Sequence, residues 1–229
     1  MRLRRCLIVP VVAAALAFPS AHAADIQQSR DGVTLTYQDP SGSTAADVRD
    51  RIIATFFATY PQQRRDFHPS APTSVHIAMD PSYDGVAYVG EGEKATTITI
   101  NPRWLQKHPN DTDLVTHEGM HIVQGYPGYA SERAPSWLVE GIADYARDQY
   151  GVDNAAAGWA LPKQIKPEHK VDTGYRVTGA FLKWSEAAHP GLVKALDSAL
   201  RSGSYTPALW KQRTGEDLAA LWQAYTARQ

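Results

Sequence analysis

The chain has 229 residues, with 23 basic and 24 acidic side chains and a formal net charge of −1. This balance provides no basic surface for nucleic acid or for an anionic membrane. Cys6 is the only cysteine, and it lies in a segment that we expect to be removed, so disulfides, thiolate metal ligands and thiol nucleophiles are excluded.

The first 23 residues have the pattern of an export signal. Three arginines precede an apolar run from Cys6 to Phe18, and Ala21 and Ala23 place small residues where a signal peptidase reads them. The apolar run is shorter than the about 20 residues of a membrane span. We therefore expect a signal peptide at 1–23, a periplasmic or secreted protein, and a single domain at 24–229 with no membrane association.

Short strand patterns and one long helix pattern alternate in the next part of the chain. The predicted strands are Val33–Tyr37, Ser74–Met79 and Ala95–Ile100, where β-branched residues alternate with a period of two. A helix is predicted over Thr44–Tyr60, with Ser43 or Thr44 as its cap and Pro61 as its end. The glycine-containing segment Asp80–Lys94 is expected to be a surface loop.

From Asn101 onward the pattern is almost entirely helical. The predicted helices run from a cap at 110–112 to Gln124, then over Trp137–Tyr150 with Ser136 as cap, Gly174–Ala188, Pro190–Arg201, Pro207–Lys211 and Glu216–Ala227. Five of the six tryptophans fall on helices and are expected in the core, and the position of Trp159 stays open. A small sheet followed by helices indicates an α+β fold.

The motif His117-Glu118-Gly119-Met120-His121 lies on one of these predicted helices. Two histidines four residues apart share one helix face and can hold one metal ion. Glu118 would lie beside a metal-activated water and accept its proton as general base. The motif therefore predicts a Zn²⁺ site with hydrolase chemistry.

This motif and the later segment Glu140–Tyr145 resemble the gluzincin type of zinc metallopeptidase, in which a second helix supplies a glutamate ligand. Eighteen residues separate His121 from Glu140. The resemblance implies that Glu140 is the third zinc ligand after His117 and His121. Asp144, one turn further on, is expected to accept a hydrogen bond from the second ring nitrogen of His117.

A tyrosine or histidine often stabilises the oxyanion in such sites. Tyr175 is the first candidate for this role and His169 the second. In zincin folds an edge strand beside the active-site helix binds extended substrate. Ala95–Ile100 is expected to be that edge strand, because it comes just before the zinc helix and its threonines suit a half-exposed edge.

Three longer segments resemble the plant and bacterial basic secretory protein family: His117–Gln124, Trp137–Arg147 and Gly174–Leu182. The pattern Asp217–Tyr225 is similar as well, so that the resemblance covers the chain from Ile98 to the C-terminus. It implies a secreted zinc metallopeptidase with peptide or protein substrates. The chain departs from the family in a longer loop at Gly125–Ser136 and in not being basic, so an affinity for polyanions does not carry over.

The sequence therefore predicts a monomeric, exported peptidase that hydrolyses peptide bonds by metal-activated water. Two alternatives use the same residues and stay open. One is a zinc-fold protein that binds cell-wall or host polymers without catalysis, and the other is a zinc hydrolase of a non-peptide amide. Side-chain preference is expected to depend on the loop Asp80–Lys94 and on the segment Gly151–Asp172.

Overall fold

The computed structural model describes residues 25–127 and 131–228. The predicted signal peptide at 1–23 lies outside these residues, as do residues 128–130 of the loop predicted after Gln124. The strands are β1 Ile26–Arg30, β2 Val33–Gln38, β3 Ser74–Met79, β4 Ala87–Val89 and β5 Thr97–Ile100. The helices are α1 Ala46–Phe67, α2 Pro102–Lys107, α3 Leu114–Gln124, α4 Ser136–Tyr150, α5 Tyr175–Ala188, α6 Leu192–Arg201, α7 Ala208–Thr214 and α8 Leu218–Thr226.

The predicted α+β class is confirmed, with the sheet in the N-terminal part and helices in the C-terminal half. Strand β1 was not predicted, and helix α2 was expected only as part of the helical pattern from Asn101 onward. The ends of the other helices differ from prediction by a few residues, apart from the C-terminal end of α1. Ser136 is the first residue of α4 rather than its cap, since Pro135 occupies the cap position and no side chain bonds there. No helix in the described part of the chain is both long and apolar enough to span a bilayer.

The five strands form one sheet in the order β1-β2-β3-β5-β4. Strands β2, β3 and β5 are parallel, while β1 and β4 pair antiparallel at the two edges. Alternate side chains of the central strands are buried, as Val75, Ile77 and Met79 show in β3. The sheet thus forms a rigid support beside the helices that carry the candidate site.

The edge strand beside α3 is not the predicted one. Strand β5 lies between β3 and β4, and its Ile98 and Ile100 are fully buried. Strand β4 forms the edge and contacts α3, although its segment was predicted to be a loop. Three residues are too few for a strand pattern to stand out among the neighbouring glycines, so the sequence did not reveal β4.

Pro61 does not end the first helix as predicted, since α1 continues through it to Phe67. A proline inside a helix costs about 3 kcal/mol. Contacts made by the following turn offset this cost. Gln63 is fully buried and donates from Nε2 to the Thr116 carbonyl in α3 at 2.8 Å, and Arg64 donates to the Ala71 carbonyl at 3.0 Å.

Helices α4 and α5 approach closely because two glycines lie at their contact. A Cβ at Gly141 would stand 2.2 Å from Cγ2 of Thr178, and a Cβ at Gly179 would stand 3.2 Å from the Tyr145 nitrogen. Larger side chains at these positions would push the helices apart. Gly141 directly follows Glu140, so this contact sets the position of α5 next to that carboxylate.

A buried ion pair holds the C-terminal end of α3. Asp197 is fully buried and pairs with Arg201, and the Arg201 guanidinium donates to the Val123 carbonyl at 2.9 Å and the Gln124 carbonyl at 3.2 Å. The Tyr126 hydroxyl donates to Asp197 Oδ1 at 2.8 Å. Arg201 therefore binds carbonyl groups at the helix terminus that have no partner within the helix.

We expect Asp197→Ala to destabilise the protein by about 3–5 kcal/mol, because it leaves the charge of Arg201 without its buried partner. Urea unfolding of the metal-free protein measures this change. Asp217→Ala, which removes the exposed cap of α8, is the comparison and should cost about 1 kcal/mol. An Asp197→Ala variant as stable as the wild type would show that the pair does not anchor α3.

Candidate metal centre

Helices α3 and α4 lie side by side in opposite directions. Gln124, at the end of α3, donates from Nε2 to the Val139 carbonyl near the start of α4 at 2.9 Å. His117, one turn into α3, contacts Asp144 further along α4, with 2.7 Å between Nδ1 and Oδ1. The antiparallel arrangement brings the histidine motif of α3 and the segment of α4 that begins at Glu140 into one site, although a long loop separates them in the sequence.

His117, His121 and Glu140 meet at the centre of this helix pair. The Nε2 atoms of the two histidines are 3.1 Å apart, and Oε2 of Glu140 lies 3.3 Å from one and 3.4 Å from the other. Four tetrahedral ligands at zinc bond lengths of 2.0–2.1 Å are separated by about 3.3 Å. Two imidazoles and one carboxylate with this spacing fit a zinc ion with an open fourth position.

The second ring nitrogen of each histidine has an oxygen partner. Oδ1 of Asp144 lies 2.7 Å from Nδ1 of His117, and Oε1 of Gln124 lies 2.7 Å from Nδ1 of His121. The amide of Gln124 is oriented by its donation to Val139, so its oxygen must face the ring. Both contacts favour the tautomer that carries hydrogen on Nδ1 and leaves Nε2 free for a metal.

Gln124 was not predicted to belong to the site. It follows His121 by three residues, so it lies on the same face of α3 one turn later, and this spacing was the available signal. Its side chain is almost fully buried. Gln124 therefore joins the two helices and orients one candidate ligand at the same time.

The acidic groups around the two imidazoles favour a positive charge at this point. Burial lowers the pKa of His117, but its hydrogen bonds with Asp144 and Glu140 outweigh burial and raise it to about 10. Burial raises the pKa of Glu140, but the bonds to His117 and His121 outweigh it and hold the pKa well below its usual range. A proton on His117 or a metal cation can supply the positive charge that the site favours.

Glu118 is buried and faces the same cleft. Burial raises its pKa, and the neighbouring His117 and His121 partly offset this increase. A carboxylate whose pKa is shifted toward neutrality is suited to accept and return a proton near neutral pH. The geometry therefore places a possible base next to the three candidate ligands.

The cleft that contains the histidines has a volume of about 1390 Å³. Its lining includes the segment from Val86 to Gly92, which contains β4, and the residues Ala157, Gly158 and Trp159. Both segments lie within the two regions predicted to shape the pocket. Trp104 is half-buried, packs against the hydrophobic core as predicted, and also lines this cleft.

Tyr175 lies beside the histidines, with its ring parallel to that of His117 and 6.4 Å between the ring centroids. It is 58% exposed and has a φ of 46°, directly after Gly174 with a φ of 83°. Such positive φ values in a tyrosine store backbone strain, a frequent property of functional sites. Burial and the charges of Glu140 and Asp144 raise the pKa of Tyr175, so its hydroxyl stays protonated.

The other predicted oxyanion donor, His169, is not among the described residues that line the cleft. Its Nδ1 accepts a hydrogen bond from the Lys166 nitrogen at 3.1 Å within a turn. Tyr83 does line the cleft, and burial and the charge of Glu118 raise its pKa. It lies in a segment predicted to be a loop, and no spacing pattern indicated it.

Strand β4 presents backbone groups to this cleft. The Asn101 nitrogen donates to the Val86 carbonyl, and the Gly90 nitrogen donates to the Thr97 carbonyl. In an antiparallel pair the hydrogen-bonded residues alternate with residues whose backbone groups point to the other side. The N–H and C=O groups of Ala87 and Val89 therefore point away from β5, and both residues line the cleft.

The sheet beside an antiparallel helix pair gives this chain a fold similar to that of solved zinc metallopeptidases. An M1 zinc metallopeptidase from Deinococcus radiodurans matches with a TM-score of 0.53 and 17% identity, over 89% of this chain and 50% of that chain. A two-domain M1 zinc metallopeptidase variant bound to L-arginine matches with a TM-score of 0.54 and 16% identity, over 89% and 51%. The chain thus spans about half the length of these structures, and the likeness concerns the fold.

The family follows from the sequence itself. A family described as peptidase of plants and bacteria matches residues 21–225, and the chain belongs to this family. The match agrees with the resemblance to the basic secretory proteins and extends it toward the N-terminus. No curated protein matches the chain. Family and fold together support a peptidase, and the His117, His121 and Glu140 cluster is suited to hold its metal.

Proposed function

We propose that this protein is an exported zinc-dependent peptidase that hydrolyses peptide bonds in extended peptide or protein substrates. The observation that carries the proposal is the triangle of His117, His121 and Glu140 with Glu118 beside it in an open cleft. Zinc held by these three residues would supply Lewis-acid polarisation of a carbonyl and a lowered pKa of water. Membership of a peptidase family supports the choice of substrate.

In the proposed mechanism Glu118 accepts a proton from the attacking water and returns it to the leaving amine. Asp144 and Gln124 keep the two imidazoles in the tautomer that leaves Nε2 free. Tyr175 donates a hydrogen bond from its hydroxyl group to the oxyanion that develops on the carbonyl oxygen. The outward backbone groups of Ala87 and Val89 would pair with an extended substrate, which then lies along β4 beside the base.

Removal and return of the metal tests this proposal. The purified protein is incubated with an unfolded protein substrate, first as isolated with zinc, then after chelation, and then after zinc is added back. We expect cleavage to stop on chelation and to resume with zinc. Cleavage that persists at full rate in the metal-free protein would contradict the proposed function.

We expect Gln124→Leu to weaken zinc affinity about 10–100-fold, because Nδ1 of His121 then loses its acceptor and the ring its fixed orientation. Competition with a chelator of known affinity measures the change without any assay of turnover. Gln149→Leu, an exposed glutamine on α4, is the matched control. Equal zinc affinity in Gln124→Leu and the wild type would remove Gln124 from the metal site.

We expect Tyr175→Phe to lower kcat about 100-fold with little change in KM, because the hydroxyl acts on charge that develops only in the transition state. Steady-state kinetics on one cleavable peptide measures both constants. Tyr83→Phe is assayed alongside, since its hydroxyl lies in the same cleft. Full activity in Tyr175→Phe together with a lower kcat in Tyr83→Phe would show that Tyr83, not Tyr175, stabilises the oxyanion.

A further inference from the structure

The cleft continues beyond the metal centre toward the start of α3. Arg147 lies on α4 seven residues after Glu140, and both line the cleft. At a rise of 1.5 Å per residue, this separation is about 10 Å along the helix. Asp111, which precedes α3, lies opposite Arg147 at this end. The mechanism proposed above uses no residue of this region.

Two tryptophans at this end are joined through a buried ion pair. Nε1 of Trp104 donates to Oδ2 of Asp111 at 2.8 Å, and Nη2 of Arg147 donates to Oδ1 of the same carboxylate at 2.5 Å. The guanidinium of Arg147 in turn stands 4.5 Å from the ring centroid of Trp159. Asp111 and Arg147 are 9% and 6% exposed, so the pair is shielded from water.

Several polar atoms of this assembly are hydrogen-bonded within the protein. Nε of Arg147 donates to Oδ1 of Asn154 at 2.8 Å, and the backbone nitrogen of Trp159 donates to the Asn154 carbonyl at 2.9 Å. The charge of Arg147 is compensated by Asp111. A ligand at this end therefore meets the two tryptophan rings, the imidazole of His108 and the side chain of Leu114.

We infer that this end of the cleft is a subsite that takes a large apolar or aromatic side chain of the substrate. The inference rests on the proposed peptidase function and deepens it. An extended chain advances about 3.3 Å per residue, so a side chain about 10 Å from the metal centre belongs to a residue about three positions from the cleaved bond. A charged side chain is disfavoured, because it would lose water where the charges of Asp111 and Arg147 are already paired with each other.

The test compares cleavage of an unstructured peptide library by the zinc-loaded wild type and by subsite variants, with the cuts mapped by mass spectrometry. We expect the wild type to favour aromatic or large apolar residues over alanine by about tenfold or more at one position about three residues from the cut. Trp159→Ala should abolish the preference, and Trp159→Phe should keep it. Zinc content should be unchanged in both variants, because the subsite is remote from the ligands.

Two further measurements separate this inference from the proposed function. Ala157→Phe places a ring in the subsite without removing one, so it should also abolish the preference even if Trp159→Ala fails to fold. Peptide binding to zinc-loaded Glu118→Gln, which needs no turnover, should show the same preference. Cleavage or binding without any aromatic or apolar preference would overturn the subsite. Preferential binding without cleavage by the wild type would keep the subsite and overturn the peptidase function.

Discussion

Glu118→Gln should bind zinc as tightly as the wild type and hydrolyse peptides about 10⁴-fold more slowly. The amide has nearly the same shape as the carboxylate but cannot accept the proton of the attacking water, and general-base catalysis contributes about 10²–10⁴-fold. Burial already raises the pKa of Glu118, so the cleft should accept the uncharged amide without loss of structure. Single-turnover kinetics with matched zinc content measures the effect.

The control for this experiment is Glu216→Gln, an exposed glutamate that is not among the residues lining the cleft. It undergoes the same chemical change and should retain full activity. Glu118→Gln that cleaves at the wild-type rate, with the same zinc content, would show that another group or none acts as the base.

Glu140→Ala should weaken zinc binding by more than about 100-fold. The change removes one of three ligands, whereas loss of a group that only orients a ligand already costs about 10–100-fold. The weaker binding should also reduce the amount by which added zinc raises the free energy of unfolding. Zinc at 1,000 times the wild-type Kd stabilises the wild type by about 4 kcal/mol, and a 100-fold weaker Kd reduces this to about 1.4 kcal/mol at the same zinc concentration.

Thermal unfolding with and without added zinc, together with metal analysis of the purified protein, measures both consequences. Glu168→Ala, at an exposed glutamate, is the comparison and should keep the full stabilisation by zinc. An unchanged zinc content in Glu140→Ala would exclude this carboxylate from the ligand set. The same measurement on His117→Ala should show a loss of comparable size.

The helical part of the fold could be predicted because its signals are local. The apolar spacing of α3 and α4 and the strand pattern of β3 depend on the period of each element. Strand β4 could not be predicted, because three residues carry too little pattern and its pairing with β5 is non-local. The continuation of α1 past Pro61 was equally hidden, since it depends on the contact of Gln63 with α3.

The candidate site could also be predicted only in part from the sequence. The histidine motif predicted residues that share one helix face, and the family resemblance indicated Glu140 and Asp144 on the next helix. The structure brings all of these side chains together. Gln124 could have been predicted from the helical spacing after His121, whereas the positions of Trp104 and Trp159 could not. These tryptophans are connected through the pairing of Asp111 with Arg147, two residues far apart in the sequence.

The proposal that this metal centre cleaves peptide bonds can be tested by incubating the zinc-loaded wild type and zinc-loaded Glu118→Gln with one unstructured peptide library and mapping the cuts by mass spectrometry. We expect cuts in the wild-type sample that are absent from the variant sample. An uncut library in both samples, with zinc bound in each, would contradict it and favour a binding protein or a hydrolase of non-peptide amides.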